Sequence, residues 1–259
     1  MGNTFTQADW EHVRARAVTV AGQLCAKGAD VWDFEALPPV EQGQLDQFTR
    51  ATGLALPNDL ADLLTRFAGG WTFAWSLGFE ENPPVCMGTS GGNAEVPFIG
   101  ATAASTLLDR YTAFQAEIRQ GYRLEAGTEA MLPALLPLHT WDGGGGDYTV
   151  LRLNVTPAEV LFLDHERAWR ATVIGTGFRD FVIGWANLGF PQTAYHFTWV
   201  ASGRPDDASP TAERWRAWLA DTSTAPATAA LPDRPRQQRS GDTGMLSNVR
   251  KWFGRRSGR

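Results

Sequence analysis

Lysine is nearly absent from this chain of 259 residues: there are only Lys27 and Lys251. Cysteine is equally scarce, with Cys25 and Cys86 far apart in sequence. Two distant cysteines exclude a disulfide framework and fit a reducing compartment. No apolar run approaches the roughly 20 residues of a membrane span. The opening stretch MGNTFTQADWEHVRARA lacks the apolar segment of a signal peptide. A cytoplasmic location is therefore expected, and the Asn154-Val155-Thr156 sequon then carries no meaning. Of the four histidines, His12, His139 and His196 stand in no ligand spacing with one another, which argues against a zinc-type site. No cofactor is expected.

What the chain does have is apolar mass. It is 43% hydrophobic, with eleven tryptophans, ample for one large domain with appendages. Its net charge of −5 hides an asymmetry. Residues 222–259 hold eight basic and two acidic residues, a net +6, so residues 1–221 carry −11. An acidic body suits a basic partner and repels nucleic acid; a basic tail does the reverse.

The stretch Leu54–Trp75, LALPNDLADLLTRFAGGWTFAW, organises the rest. Pro57 opens a helix, where its missing N–H costs nothing, and Asp59 complements the helix dipole. Leu60, Leu63, Leu64 and Phe67 form one apolar stripe. Gly69 and Gly70 are expected to stop the helix through a left-handed cap. Trp71–Trp75 then reads as a strand.

Thr6 and Asp9 have capping-box spacing ahead of a helix over 7–27. A second helix spans about 41–52 and ends at Gly53. Residues 78–95 form a long loop. Pro97 makes 96–99 an edge strand. A helix near 103–121 follows, then strands at 135–141, 148–153 and 160–164, with Gly143–Gly146 joining the first two. Thr176 is expected to cap a helix carrying Phe178, Phe181, Val182 and Trp185. A strand at 195–200 and a short helix at 210–220 complete the body. Residues 222–244 have the composition of disorder. The domain boundaries are 1–30 for the N-terminal helix, 31–221 for the main domain and 222–259 for the tail.

Three stretches in order resemble the SUKH superfamily in its Smi/Knr-like branch. They are the Leu-Pro-Asn-Asp-Leu helix ending in Gly69-Gly70, then Asp142-Gly-Gly-Gly-Gly-Asp147 before a strand, then Leu161-Phe-Leu-Asp164-His165-Glu166 before the helix at 176–188. The likeness covers about 35–190. It implies an α+β domain, a mainly antiparallel sheet with packed helices. It also implies a non-enzymatic role: bacterial members are mostly immunity proteins that neutralise toxins, and fungal members are regulatory scaffolds of cell-wall synthesis. The chain departs from the pattern at Ala68, where Asn is usual, in its long 78–125 insert and in its extended termini.

The chemical motifs are weak. Gly88-Thr89-Ser90-Gly91-Gly92 fits G-x-S-x-G but lacks the strand before and the helix after that a nucleophile elbow needs. Gly143–Gly146 lacks the Lys-Ser/Thr of a phosphate loop. His165 alternates away from Asp164 and Glu166 on a strand, so the three do not converge on a metal. The remaining reading is recognition. Glu80, Glu81, Asp142, Asp147, Asp164 and Glu166 form a candidate acidic face for a protein partner such as a basic toxin. The core is the default for tryptophan, yet Trp71 and Trp75 lie beside turns and are candidates to rim that face.

The tail carries a second candidate surface. Met245, Val249, Trp252 and Phe253 share one helical face, and Arg250, Lys251, Arg255 and Arg256 surround or follow it. Trp252, Phe253 and the four basic residues could meet an anionic membrane or a partner groove. This supports the alternative reading, a regulatory scaffold recruited through its tail. Met1-Gly2-x-x-x-Thr6 fits the acylation pattern, although Thr6 is also needed as a cap.

Overall fold

The computed structural model describes residues 4–76, 93–98, 106–121, 124–140, 147–164, 167–191 and 200–221. All of these fall within one unit, Met1–Ala225. The tail residues Arg250, Lys251, Trp252, Phe253, Arg255 and Arg256 lie outside the described residues, as does the strand expected at 195–199.

The first helix, α1 (Gln7–Ala26), starts as its sequence dictates. The Thr6 hydroxyl accepts the Asp9 N–H at 3.2 Å, and Asp9 Oδ2 accepts the Thr6 N–H at 2.9 Å. Trp10, Val13, Ala17, Val20 and Leu24 are its buried stripe. Strand β1 (Asp30–Leu37) comes next, then α2 (Gln42–Thr52), which Gly53 closes in a left-handed conformation. Helix α3 (Asn58–Asp62) runs into a π-helical turn, Leu63–Phe67, closed by the Ala68 N–H on the Leu63 carbonyl. The stop therefore differs from expectation. Ala68 ends the helix in an extended conformation (φ −160°), and the Gly69 N–H turns to the carbonyls of Leu37 and Pro38.

Strand β2 (Gly70–Ser76) lies between β1 and β3 (Asn93–Phe98), all antiparallel. β3 is an edge of this sheet, where a proline is tolerated. Helices α4 (Leu107–Gly121) and α5 (Ala126–Met131) lead into a four-stranded antiparallel meander: β4 (Leu135–Thr140), β5 (Tyr148–Arg152), β6 (Glu159–Asp164) and β7 (Arg170–Thr176). Helix α6 (Phe178–Leu188), a two-residue-per-strand ribbon of β8 (Val200–Ala201) and β9 (Arg204–Pro205), and α7 (Pro210–Ala220) follow. This is an α+β fold with antiparallel sheets, as the sequence indicates.

The meander is buried on both faces. Leu136, Leu138, Leu151, Val160, Phe162 and Ile174 join the large core with α1, α6 and α7. Leu135, Val150, Leu161 and Leu163 join a smaller core with Phe114 and Ile118 of α4, Leu132 and Trp169. A strand covered twice needs no polar face, so β5 and β6 are buried almost continuously rather than in alternation. Two glycines make the packing possible. A Cβ at Gly175 would stand 2.7 Å from the Phe181 ring, and one at Gly189 (φ 86°) would meet Trp215, Leu219 and Val20 within 3.4 Å.

Trp71 and Trp75 correct the expectation of a rim. They are 0% and 1% exposed. Trp71 packs on Trp10 and Phe34, and Trp75 stacks on Trp215 with centroids 5.9 Å apart. Trp71, Phe73 and Trp75 alternate onto the core face of β2, so their place beside turns does not expose them.

Helix α6 has an unexpected cap. Thr176 belongs to β7, and Gly177 precedes the helix with no side-chain cap. The acceptor comes from α3: Asp59 Oδ2 takes the Arg179 N–H at 2.9 Å while Oδ1 takes the Leu60 N–H at 2.9 Å. The Arg179 guanidinium meanwhile forks onto Asp9, Nε to Oδ2 at 2.9 Å and Nη2 to Oδ1 at 2.7 Å. One residue of α6 thus ties α1 and α3 together.

Candidate functional site

An antiparallel meander gathers alternate turns at one end. Here the start of β5 and the end of β6 lie side by side. The pair Tyr148↔Leu163 closes the β5–β6 ladder, and the next residues outward are Asp147 and Asp164. Across β7, Asp164 pairs with Arg170, and Arg167 Nε stands 3.4 Å from Asp164 Oδ2. The structure thus brings together two of the proposed acidic residues. It also buries them, at 7% and 8% exposure. That is a correction: Asp147 and Asp164 are structural carboxylates at the sheet end, not a surface a partner reaches directly. Glu80, Glu81, Asp142 and Glu166 lie outside the described residues.

Among the described residues, two exposed acids reach this end from α5 and its cap, a helix absent from the sequence-based expectations. The Glu125 N–H bonds the Ala168 carbonyl at 2.9 Å, which sets the start of α5 against the β6–β7 turn. Glu125 and Glu129 are both exposed there. Helical spacing was too short over Ala126–Met131 to give a periodic signal, and only the tertiary contact brings it here.

The turn itself is strained. Ala168 and Trp169 have φ of 54° and 59°, a region disfavoured for residues with a Cβ. Burial of the Trp169 indole holds it: Trp169 is 3% exposed and lies 5.8 Å from the Tyr148 ring, which meets Phe114 edge-on at 4.9 Å. The Tyr148 hydroxyl donates to Glu117 Oε2 at 2.6 Å. Burial, followed by that bond to a carboxylate, pushes the phenol above its ordinary pKa. Backbone strain retained by packing is common where a turn must keep one shape.

Elsewhere the chemistry is sparse. Ser90 and its glycines, Gly143–Gly146, His165 and His196 lie outside the described residues. His12 Nε2 is 2.7 Å from Asn187 Oδ1. Among the described residues no group of three or more His, Cys, Asp or Glu could hold a metal ion, and no helix is long and apolar enough to cross a membrane. Comparison with protein-family models, with curated proteins and with solved structures finds no match to this chain.

Proposed function

We propose that this chain is a non-enzymatic, cytoplasmic protein-binding domain of SUKH type, and that it neutralises a basic toxin. The carrying observation is the charge of −11 on residues 1–221, joined to the exposure of Glu125 and Glu129 where α5 meets the β6–β7 turn. A nuclease toxin is basic because it must hold phosphates. An acidic domain is captured by such a surface quickly and covers it. The packed β6–β7 turn favours this role, since a pre-shaped contact loses little entropy on binding.

The test is co-expression with a basic nuclease-toxin domain, any such domain encoded beside its gene being tried first. Growth rescue and a stable complex are expected. The double variant E125K/E129K should slow association several-fold at low salt and less at high salt, because steering is screened. Absence of both rescue and complex refutes the reading, whereas unchanged on-rates in the variant with rescue intact move the contact away from this end.

A further inference from the structure

The meander keeps one open edge. Strand β7 ends the order β4–β5–β6–β7, so every second residue along it turns its N–H and C=O away from β6. From Arg170 to Val173 the ladder with β6 is regular: Arg170 lies opposite Asp164, Ala171 opposite Leu163, Thr172 opposite Phe162 and Val173 opposite Leu161. Among the described residues, no backbone group of these four is bonded on the outer side. The stretch is bounded at both ends. Before it, the Glu125 N–H of the α5 cap is held on the Ala168 carbonyl. After it, the β8–β9 turn closes in. The Thr176 hydroxyl donates to the Gly203 carbonyl at 3.4 Å, and a Cβ on Gly203 would stand 3.1 Å from Val173 Cγ1. Four residues at about 3.3 Å each leave about 13 Å of open ladder.

Proteins blunt such an edge with charge, proline, a bulge or a cover. The other edges do so: β1 carries Glu35 at its register shift, β3 carries Pro97 and β4 carries Pro137. On β7 the run Ala171-Thr172-Val173 holds no charge and no proline, and the register shift comes only beyond Val173. Thr172 is exposed, and so is Val173 at 37%. Among the described residues, Val18 of α1 is the one other exposed large apolar side chain.

An extended chain is what matches outward N–H and C=O groups at strand spacing. The flanks set its charge. Arg170 starts the stretch, and Arg204 follows the Gly203 that meets Val173. Both are exposed, and among the described residues neither is in an ion pair. Arg167, in the preceding turn, is already on Asp164. Carboxylates at the ends of an incoming segment therefore find unpaired cations. A second copy is disfavoured as the occupant, because each copy carries −11 on residues 1–221.

We propose that the outer edge of β7, from Arg170 to Val173, receives an extended, acid-flanked segment of a partner protein as a fifth, antiparallel strand of the meander. The segment's backbone continues the ladder, a β-branched side chain covers Val173, and a carboxylate at its C-terminal end lies across from Arg170. The site uses neither Glu125 nor Glu129, so it stands apart from the acidic contact proposed above.

The probe is the acetylated, amidated peptide ETVTVTE, titrated into full-length protein while backbone amide NMR signals are followed. Saturable shifts centred on Arg170–Val173 are expected, with millimolar affinity and slowed exchange of the outward amides. The same peptide N-methylated at alternate residues has lost the donors of one edge and should not bind. V173K puts a charge on the open edge and should weaken binding several-fold. R170E should weaken it by up to about fivefold, the size of one cross-strand charge pair. The peptide ETVTVTK should recover that loss on R170E and bind wild type less well than ETVTVTE does. Arg170 is exposed, so R170E with its matched peptide tests the site even if V173K misfolds. A linear, unsaturated response, equal binding of the N-methylated peptide, or an R170E variant that keeps the wild-type preference between the two peptides overturns the proposal. So do shifts of the same amides with protein concentration alone, which would give the edge to a second copy.

Discussion

Asp59→Ala is the sharpest test of how this fold is assembled. The Asp59 carboxylate is 5% exposed and accepts two backbone N–H groups, Leu60 on its own helix and Arg179 on α6. Removing it strips α6 of the side-chain acceptor at its N-terminus, the only one among the described residues, because Gly177 offers none. Loss of a cap costs about 0.5–2 kcal/mol, and a buried donor left unsatisfied costs about 1–3 kcal/mol. Against this stands the relief of a buried charge, since burial raises the Asp59 pKa despite those hydrogen bonds. The net loss should be about 2 kcal/mol at neutral pH, and Asp59→Asn, which keeps an acceptor, should lose less. The pH dependence has a definite sign. A folded-state pKa above the unfolded one gives stability that is full below the unfolded pKa and lost as pH rises through the folded value. Wild type should therefore gain on Asp59→Asn as the solution is acidified from neutral towards the ordinary carboxylate range. Urea denaturation of both variants across that range measures it. A loss below about 0.5 kcal/mol for Asp59→Ala, the size of an ordinary surface change, or a pH trend of opposite sign, refutes the argument.

Asp9 should behave inversely. Burial disfavours its charge, but hydrogen bonds from Arg179 and then Thr6 outweigh burial and lower its pKa. Its contribution is present above the ordinary carboxylate pKa and lost as pH falls through the depressed value; Arg179→Ala should flatten that acid limb in a pH series of denaturant melts. Leu64→Ala, at a fully buried position, should cost about 2–5 kcal/mol through lost burial and the cavity left behind, again read by denaturation. Ala168→Gly relieves a left-handed φ and should raise stability by about 0.5–1 kcal/mol, since the strain outweighs the entropy glycine adds to the unfolded chain; a fall in Tm would show the turn is relaxed as it stands.

These residues also mark what the sequence could disclose. α1 and α2 were legible because their caps and stripes are local: Thr6 with Asp9, and Gly53. β5 and β6 were legible as apolar runs. β1 was not, because Asp30, Asp33 and Glu35 disfavour a strand and its register shifts between Trp32 and Glu35. β7 was missed because its burial does not alternate, with only Ile174 and Gly175 buried. The cap of α6 was beyond reach, since Asp59 and Arg179 are 120 residues apart. The meeting of Asp147 with Asp164 depends on strand register, which no local pattern encodes. Burial of Trp71 and Trp75 follows from the alternation of β2, but the side that faces the core is fixed only by Trp10, Phe34 and Trp215.

Burial of the carboxylates changes what the acidic charge can do. Pairing does not alter the sum: Asp9 with Arg179, and Asp164 with Arg167, each cancel locally, and residues 1–221 remain at −11. A distant basic surface responds to that sum, within the roughly 8–10 Å over which salt leaves it visible. A docked surface responds instead to the charges it touches. Asp147 and Asp164 are buried and so withdrawn from that second role, whereas Glu125 and Glu129 are exposed and available for it. The two roles separate experimentally. Reversing a remote exposed carboxylate such as Glu11 changes the sum by the same amount as Glu125→Lys, so both should slow encounter at low salt. Only the Glu125 change should also quicken dissociation, and that difference in off-rate would locate the contact at the β6–β7 end of the sheet.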